Sequence, residues 1–243
     1  SLYPLGYSVP ARWTRAAAAL DAHDPDARIL AVPGGTGGNY RWGMRSPDDL
    51  FPSFFGRSVV VRNSVVGRGD PAGNFLAGFD TAMAQGALQP GATSTIARYL
   101  GASDVLVRND LLSEEIGGAA PSTISAQVAA DPDLALARTY GHPGTDTMPT
   151  HSGPATRTQR ALDPLDAAVH PLEVYSVLVP EPVVRAAPVT DQVLVDGDGG
   201  AFPVLAGLGI LDGRQPVRYL GDLDQAELER TVHEGARVVL TDT

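Results

Sequence analysis

Asp196 and Asp198 stand two residues apart in a turn otherwise made of Gly197, Gly199 and Gly200, a spacing that can hold a hard cation. The distal acid that completes a calcium loop is missing. The pair therefore predicts a strand-to-helix turn with at most weak calcium binding, and no other cofactor is implied. A second glycine cluster, Gly34, Gly35, Gly37 and Gly38 around Thr36, follows the apolar run 29–32. Backbone N–H groups in such a loop could cradle an anion. Its register is not that of a dinucleotide loop and no Walker lysine follows, so a tight loop is expected. Tyr40 and Trp42 come next, two apart, and on an extended chain they share one face. Such a pair can carry a sugar ring or fill a core; these two are the candidate carbohydrate-binding residues, with packing the commoner role. Asp48 and Asp49, behind Ser46 and Pro47, have the pattern of a helix N-terminus. The histidines (23, 142, 151, 170 and 233) have no metal-ligand spacing, and no serine stands in a nucleophile elbow. No catalytic residue emerges.

The elements that must carry these residues alternate between helix and strand. Trp13, Ala17 and Leu20 share a helical face over 10–22, and Phe75, Phe79, Ala82 and Met83 share another over 71–85. Residues 93–100 and 202–211 read as further helices, and 122–137 as a weak one. Short apolar runs at 29–32, 59–61, 105–107, 172–179, 192–195, 216–220 and 236–240 read as strands. Two of them end alike: Val59, Val61, Arg62 and Asn63 match Val105, Val107, Arg108 and Asn109. Asp224 predicts an N-cap, with Glu227 completing a capping box and Leu228 and Val232 facing the core. The expected fold class is α/β: a mostly parallel sheet with covering helices, loop-rich, in two α/β subdomains. The first would span 1–138 and the second 172–243, joined by a polar loop or linker at 139–171 and truncated at the C-terminus.

Composition narrows the function classes. With 43% hydrophobic residues the chain can bury a core. The net charge of −10 comes without a basic run, so nucleic acid is not an expected partner. All 18 basic residues are Arg, which removes Schiff-base and P-loop chemistry. The absence of Cys removes disulfides, thiol catalysis and Cys-bound metal. No apolar run reaches the ~18 residues of a bilayer span. Both ends read as cut, which makes the chain a fragment.

Several segments, taken in order, resemble the mycobacterial-type arabinofuranosyltransferase D family, large polytopic glycosyltransferases of the C superfamily that build cell-wall arabinan. They are 9–13, ending on Trp13; 28–43, a strand, Pro-Gly, then Tyr40, Trp42 and Gly43; 59–63; Gly73 and Asn74 opening a helix; 99–111; and, in the tail, 195–199 and 238–243. The match covers about 9–112 and 172–243. The resemblance implies a region on the extracytoplasmic face of the cell membrane. Its partners would be the arabinan acceptor and the transmembrane portion of the same polypeptide. That portion would hold the catalytic acids and the decaprenyl-phosphoryl arabinose donor, so no catalytic residue carries over. A carbohydrate-binding module of an envelope protein and a soluble nucleotide-binding α/β enzyme are the alternatives.

Overall fold

The computed structural model describes residues 9–35, 38–43, 45–46, 52–62, 71–145 and 163–241. Its first element, α1 (Ala11–Asp21), buries Trp13, Ala16, Ala17 and Leu20 along one stripe. Then comes β1 (Arg28–Val32), whose side chains alternate between two cores: Ile29 and Ala31 face α1, while Leu30 and Val32 face the opposite layer. A small antiparallel pair follows, β2 (Gly38–Asn39) with β3 (Arg45–Ser46), and then β4 (Val59–Val60). Ser46 thus ends a strand, and Pro47, Asp48 and Asp49 lie outside the described residues.

On the other layer lie α2 (Pro71–Ala84), α3 (Ala92–Tyr99) and, after β5 (Ala102–Arg108) and the short α4 (Ser113–Ile116), α5 (Pro121–Ala129). Strand β6 (Leu134–Tyr140), α6 (Pro164–Ala167) and β7 (Leu172–Val177) complete the first sheet, ordered β4-β1-β5-β7-β6. Strand β5 is buried along its whole length because it is flanked on both sides and covered on both faces. Burying an Ile, Leu or Val side chain is worth about 1.5–3 kcal/mol, which makes this strand a large contributor to the core.

The tail builds a second sheet: β8 (Val193–Asp196), α7 (Ala201–Gly207), β9 (Val217–Tyr219), α8 (Gln225–His233) and β10 (Arg237–Leu240), ordered β10-β8-β9 and wholly parallel. One continuous core joins the sheets. Leu30, Val105 and Tyr175 of the first sheet belong to the same buried cluster as Phe79, Ile96, Val193, Val195, Phe202 and Leu205.

Several expectations need correction. The first sheet is mixed: β4, β1 and β5 are parallel, but β7 runs antiparallel to both β5 and β6. A buried apolar run looks the same in either direction, so the sequence of β7 carries no polarity. Residues 122–137 are not one weak helix but α5 followed by the start of β6, an edge strand whose middle is exposed. Strand β7 pairs inside the first sheet, and the strands of the two sheets divide between 177 and 193. In α8, Asp224 caps as expected, accepting from the Glu227 N–H at 2.8 Å. The Glu227 carboxylate instead accepts from Arg218 at 2.7 Å. Val232 is 44% exposed, and Thr231 is the buried residue of that helix.

Candidate functional site

The chain leaves β1 toward β4 and leaves β5 toward β7 and β6. In open α/β sheets this divergence opens a crevice at the carboxyl ends of the strands. Here that edge carries Pro33, Gly34 and Gly35 after β1, Arg62 after β4, and Arg108 at the end of β5. Arg62 and Arg108 are the arginines of the two matching strand ends, brought to one edge because both strands run parallel to β1. Helix α2 covers this edge and contributes Asp80. A cavity of about 310 Å³ lies here, lined by Pro33, Gly34, Gly35, Arg62, Asp80, Thr81, Ala84, Gln85, Gly117, Gly118, Ala119 and Ile124.

Asp80 is only 7% exposed. Its Oδ1 accepts the Gly34 N–H at 3.0 Å, while its Oδ2 is buried with no partner among the described residues. Burial pushes its pKa up to about 6, against the pull of the Gly34 N–H and of Arg62 and Arg108. Only glycine fits at 34, because a β-carbon there would overlap the Asp80 carboxylate and the Arg62 β-carbon. Arg108 is itself held, donating to the Tyr40 hydroxyl at 3.1 Å and to the Pro33 carbonyl.

The other buried carboxylates are tied into the framework. Asp104 receives Arg57 at 2.8 Å; Asp110 receives the Trp13 indole N–H at 2.8 Å and Arg12 at 3.2 Å. Asp131 receives the Ser94 N–H at 2.8 Å, and Glu173 the Ser125 hydroxyl at 2.7 Å. Arg57 donates further to the carbonyls of Leu20, Ala27 and Arg28 and to the Ser103 hydroxyl. It thereby fastens α1 and β1 to β5 at the opposite edge of the sheet.

Of the residues singled out from sequence, Gly34, Gly35 and Arg62 line this cavity, while Tyr40, Trp42, Asp196 and Asp198 lie elsewhere. Tyr40 is fully buried, edge-on to Trp13 at 5.5 Å and stacked on Trp42 at 5.0 Å. Trp42 is half-buried against the same core, with its indole N–H buried and unpartnered among the described residues. Both rings pack, and Tyr40 offers no open face. Gly34 and Gly35 spend their N–H groups on Asp80 and on the Arg62 carbonyl, so neither is left for an anion. Thr36 and Gly37 lie outside the described residues.

Asp196 and Asp198 sit at the end of β8. The Asp198 Oδ1 accepts the Gly200 N–H at 2.7 Å, an internal turn bond. Among the described residues no group of three or more potential metal ligands forms. The glycines of this turn serve contact: Gly78 of α2 and Gly199 approach so closely that a β-carbon on either would overlap backbone of the other element. Asp80 was missed by sequence reasoning. The available signal was that it is the lone charged residue in the helix Pro71–Ala84, directly beside the core residue Phe79.

A family model described as alpha-(1->3)-arabinofuranosyltransferase, N-terminal GT-C domain, matches residues 5–243. An alpha-(1->3)-arabinofuranosyltransferase of Mycolicibacterium smegmatis is 31% identical over 137 residues, 56% of this chain and 10% of that protein. The chain therefore spans about a tenth of that relative's length. The cryo-EM structure of the arabinofuranosyltransferase AftD from mycobacteria superposes with a TM-score of 0.68 at 20% identity, covering 97% of this chain and 17% of that one. A point mutant of that enzyme gives the same TM-score, with 18% of its chain covered. At this identity the likeness carries the fold alone.

Proposed function

The chain belongs to the alpha-(1->3)-arabinofuranosyltransferase family, and from that premise we propose that it is an extracytoplasmic α/β region of a membrane arabinofuranosyltransferase acting in cell-wall arabinan synthesis. Its role is to hold or shape the path of the arabinan acceptor, while the transmembrane portion of the same polypeptide carries the chemistry. The observation that carries this reading is the family match over residues 5–243, joined to the state of the acids. Asp104, Asp110, Asp131 and Glu173 are each bound into the framework, and the remaining buried carboxylate, Asp80, lines its cavity with Arg62 and no second acid. Among the described residues no helix is long and apolar enough to cross a membrane.

The nucleotide-binding alternative is weakened by the glycine loops, since the N–H groups of Gly34 and Gly35 and the close face of Gly199 are already occupied. Calorimetric titration of the chain with arabinan, with an unrelated α-glucan and with a nucleoside diphosphate tests the reading. Arabinan alone should bind. Nucleotide binding in preference to arabinan would return the chain to the soluble-enzyme class.

A further inference from the structure

We propose that residues 178–188, the connection between the two sheets, form the seam along which this region packs against the remainder of its own polypeptide. The partner rests on the functional reading just given; the apolar character of the seam does not.

Every exposed side chain in this stretch is apolar. Leu178 and Val184 are 57% and 87% exposed, Val179 and Val183 are exposed beside them, and the other exposed positions are prolines and alanines. The stretch carries two charges, and both turn back onto the body. Glu181 accepts from the Arg214 guanidinium at 2.6 Å. Arg185 donates to the Arg98 carbonyl at 2.8 Å and lies over the Tyr99 ring, 5.8 Å from its centre. Single exposed apolar side chains are ordinary on a protein surface, but a contiguous patch stripped of charge marks a surface that another body covers.

The connection is also held in shape. The Leu178 N–H donates to the Asp133 carbonyl at 2.9 Å, and Arg98 donates to the Val179 carbonyl at 3.0 Å. Gly101 lies so close that a β-carbon there would overlap the Val183 backbone. The apolar side chains are therefore presented on a fixed frame, which lowers the entropy lost on docking.

Three occupants compete for such a patch. A bilayer surface is engaged through Trp and Tyr rings and Lys or Arg side chains, and the exposed face of 178–188 has none of them. A second copy would bring together two chains that each carry a net charge of −10. The third is the polypeptide itself. The chain accounts for 17% of the solved relative it superposes on, so most of such a protein lies outside this region and needs a surface on which to meet it.

The chain has no cysteine, so a single introduced thiol reports on its own position. Val184→Cys is compared in the 243-residue chain and in the full-length polypeptide in lipid nanodiscs. Alkylation by a water-soluble maleimide is read by mass spectrometry on the peptide that carries residue 184. Ala226→Cys, at an exposed position of α8, is the control. Alkylation at 184 should be at least about tenfold slower in the full-length polypeptide, with 226 unaffected. The same comparison at Val179→Cys keeps the test decisive should the first variant not fold. Equal rates at 184 in the two proteins, or equal slowing at 226, would overturn the seam and leave the functional reading in place. Slowing that disappears in detergent would assign the patch to lipid, and slowing in the 243-residue chain that grows with its concentration would assign it to a second copy; either would refute the proposal. Protection at 184 in a full-length polypeptide that fails to bind arabinan would uphold the seam and remove the arabinan assignment.

Discussion

Replacing Asp80 by Asn should stabilise the protein at neutral pH and lose that benefit in acid. The Asp80 pKa is lifted from 3.8 to about 6 in the fold, chiefly by burial. Below the unfolded value, both states carry the proton and burial of the side chain costs no charge. As pH rises through the window from about 4 to 6, the unfolded chain ionises first and the folded one is left with a penalty. A rise of this size corresponds to about 3 kcal/mol, fully expressed above pH 6. Asn keeps the acceptor for the Gly34 N–H and cannot ionise. Its amide nitrogen replaces an unpartnered oxygen by an unpartnered donor, a cost of about 1–3 kcal/mol that does not vary with pH. The pH-dependent part is therefore the diagnostic one. Urea unfolding of both proteins at pH 4, 5, 6 and 7.5 should show the stability difference moving by about 3 kcal/mol in favour of Asn across that range. A difference that stays flat, or moves the other way, would mean that Arg62 and Arg108 outweigh burial and that Asp80 is ionised without penalty.

Other substitutions address the framework. Trp42→Ala should cost about 3 kcal/mol, the low end for a tryptophan because the ring is half-buried, and thermal melting should register it as a drop of several degrees. Arg57→Met should cost about 3 kcal/mol, the low end for breaking a buried pair because the His23 ring at 3.1 Å and the Ser103 hydroxyl at 2.9 Å still contact Asp104, measurable by urea unfolding; a change under ~1 kcal/mol would show that the network is dispensable. Calorimetry should find no micromolar calcium binding, and Asp198→Asn should leave the weak response unchanged, because the Asp198 oxygen is committed to the Gly200 N–H.

The helices were legible because their buried faces repeat at helical spacing, as Phe79 and Met83 do in α2. The strands β1 and β5 were legible as apolar runs. Strand β6 was not: it sits at the sheet edge, its Leu136 is 55% exposed, and Arg138 and Thr139 follow without alternation. The direction of β7 was hidden too, since pairing partners far apart in sequence decide it. The repeated Val-x-Val-Arg-Asn pattern was visible, but its meaning needed the sheet, which brings Arg62 and Arg108 to one edge because β4 and β5 both run parallel to β1. Asp80 reads in sequence as an ordinary polar residue on an amphipathic helix. Only the approach of Gly34 shows that it points inward. Tyr40 and Trp42 were recognisable as a pair, while the burial of Tyr40 under Trp13 depends on α1, which precedes β2 by a strand and a loop.

The division of labour assigned to this chain is tested most directly by incubating it with a polyprenyl-phosphate arabinose donor and an arabinan acceptor, and reading the acceptor by mass spectrometry. The account predicts an acceptor that is bound and unextended. An acceptor lengthened by the chain acting alone would contradict it.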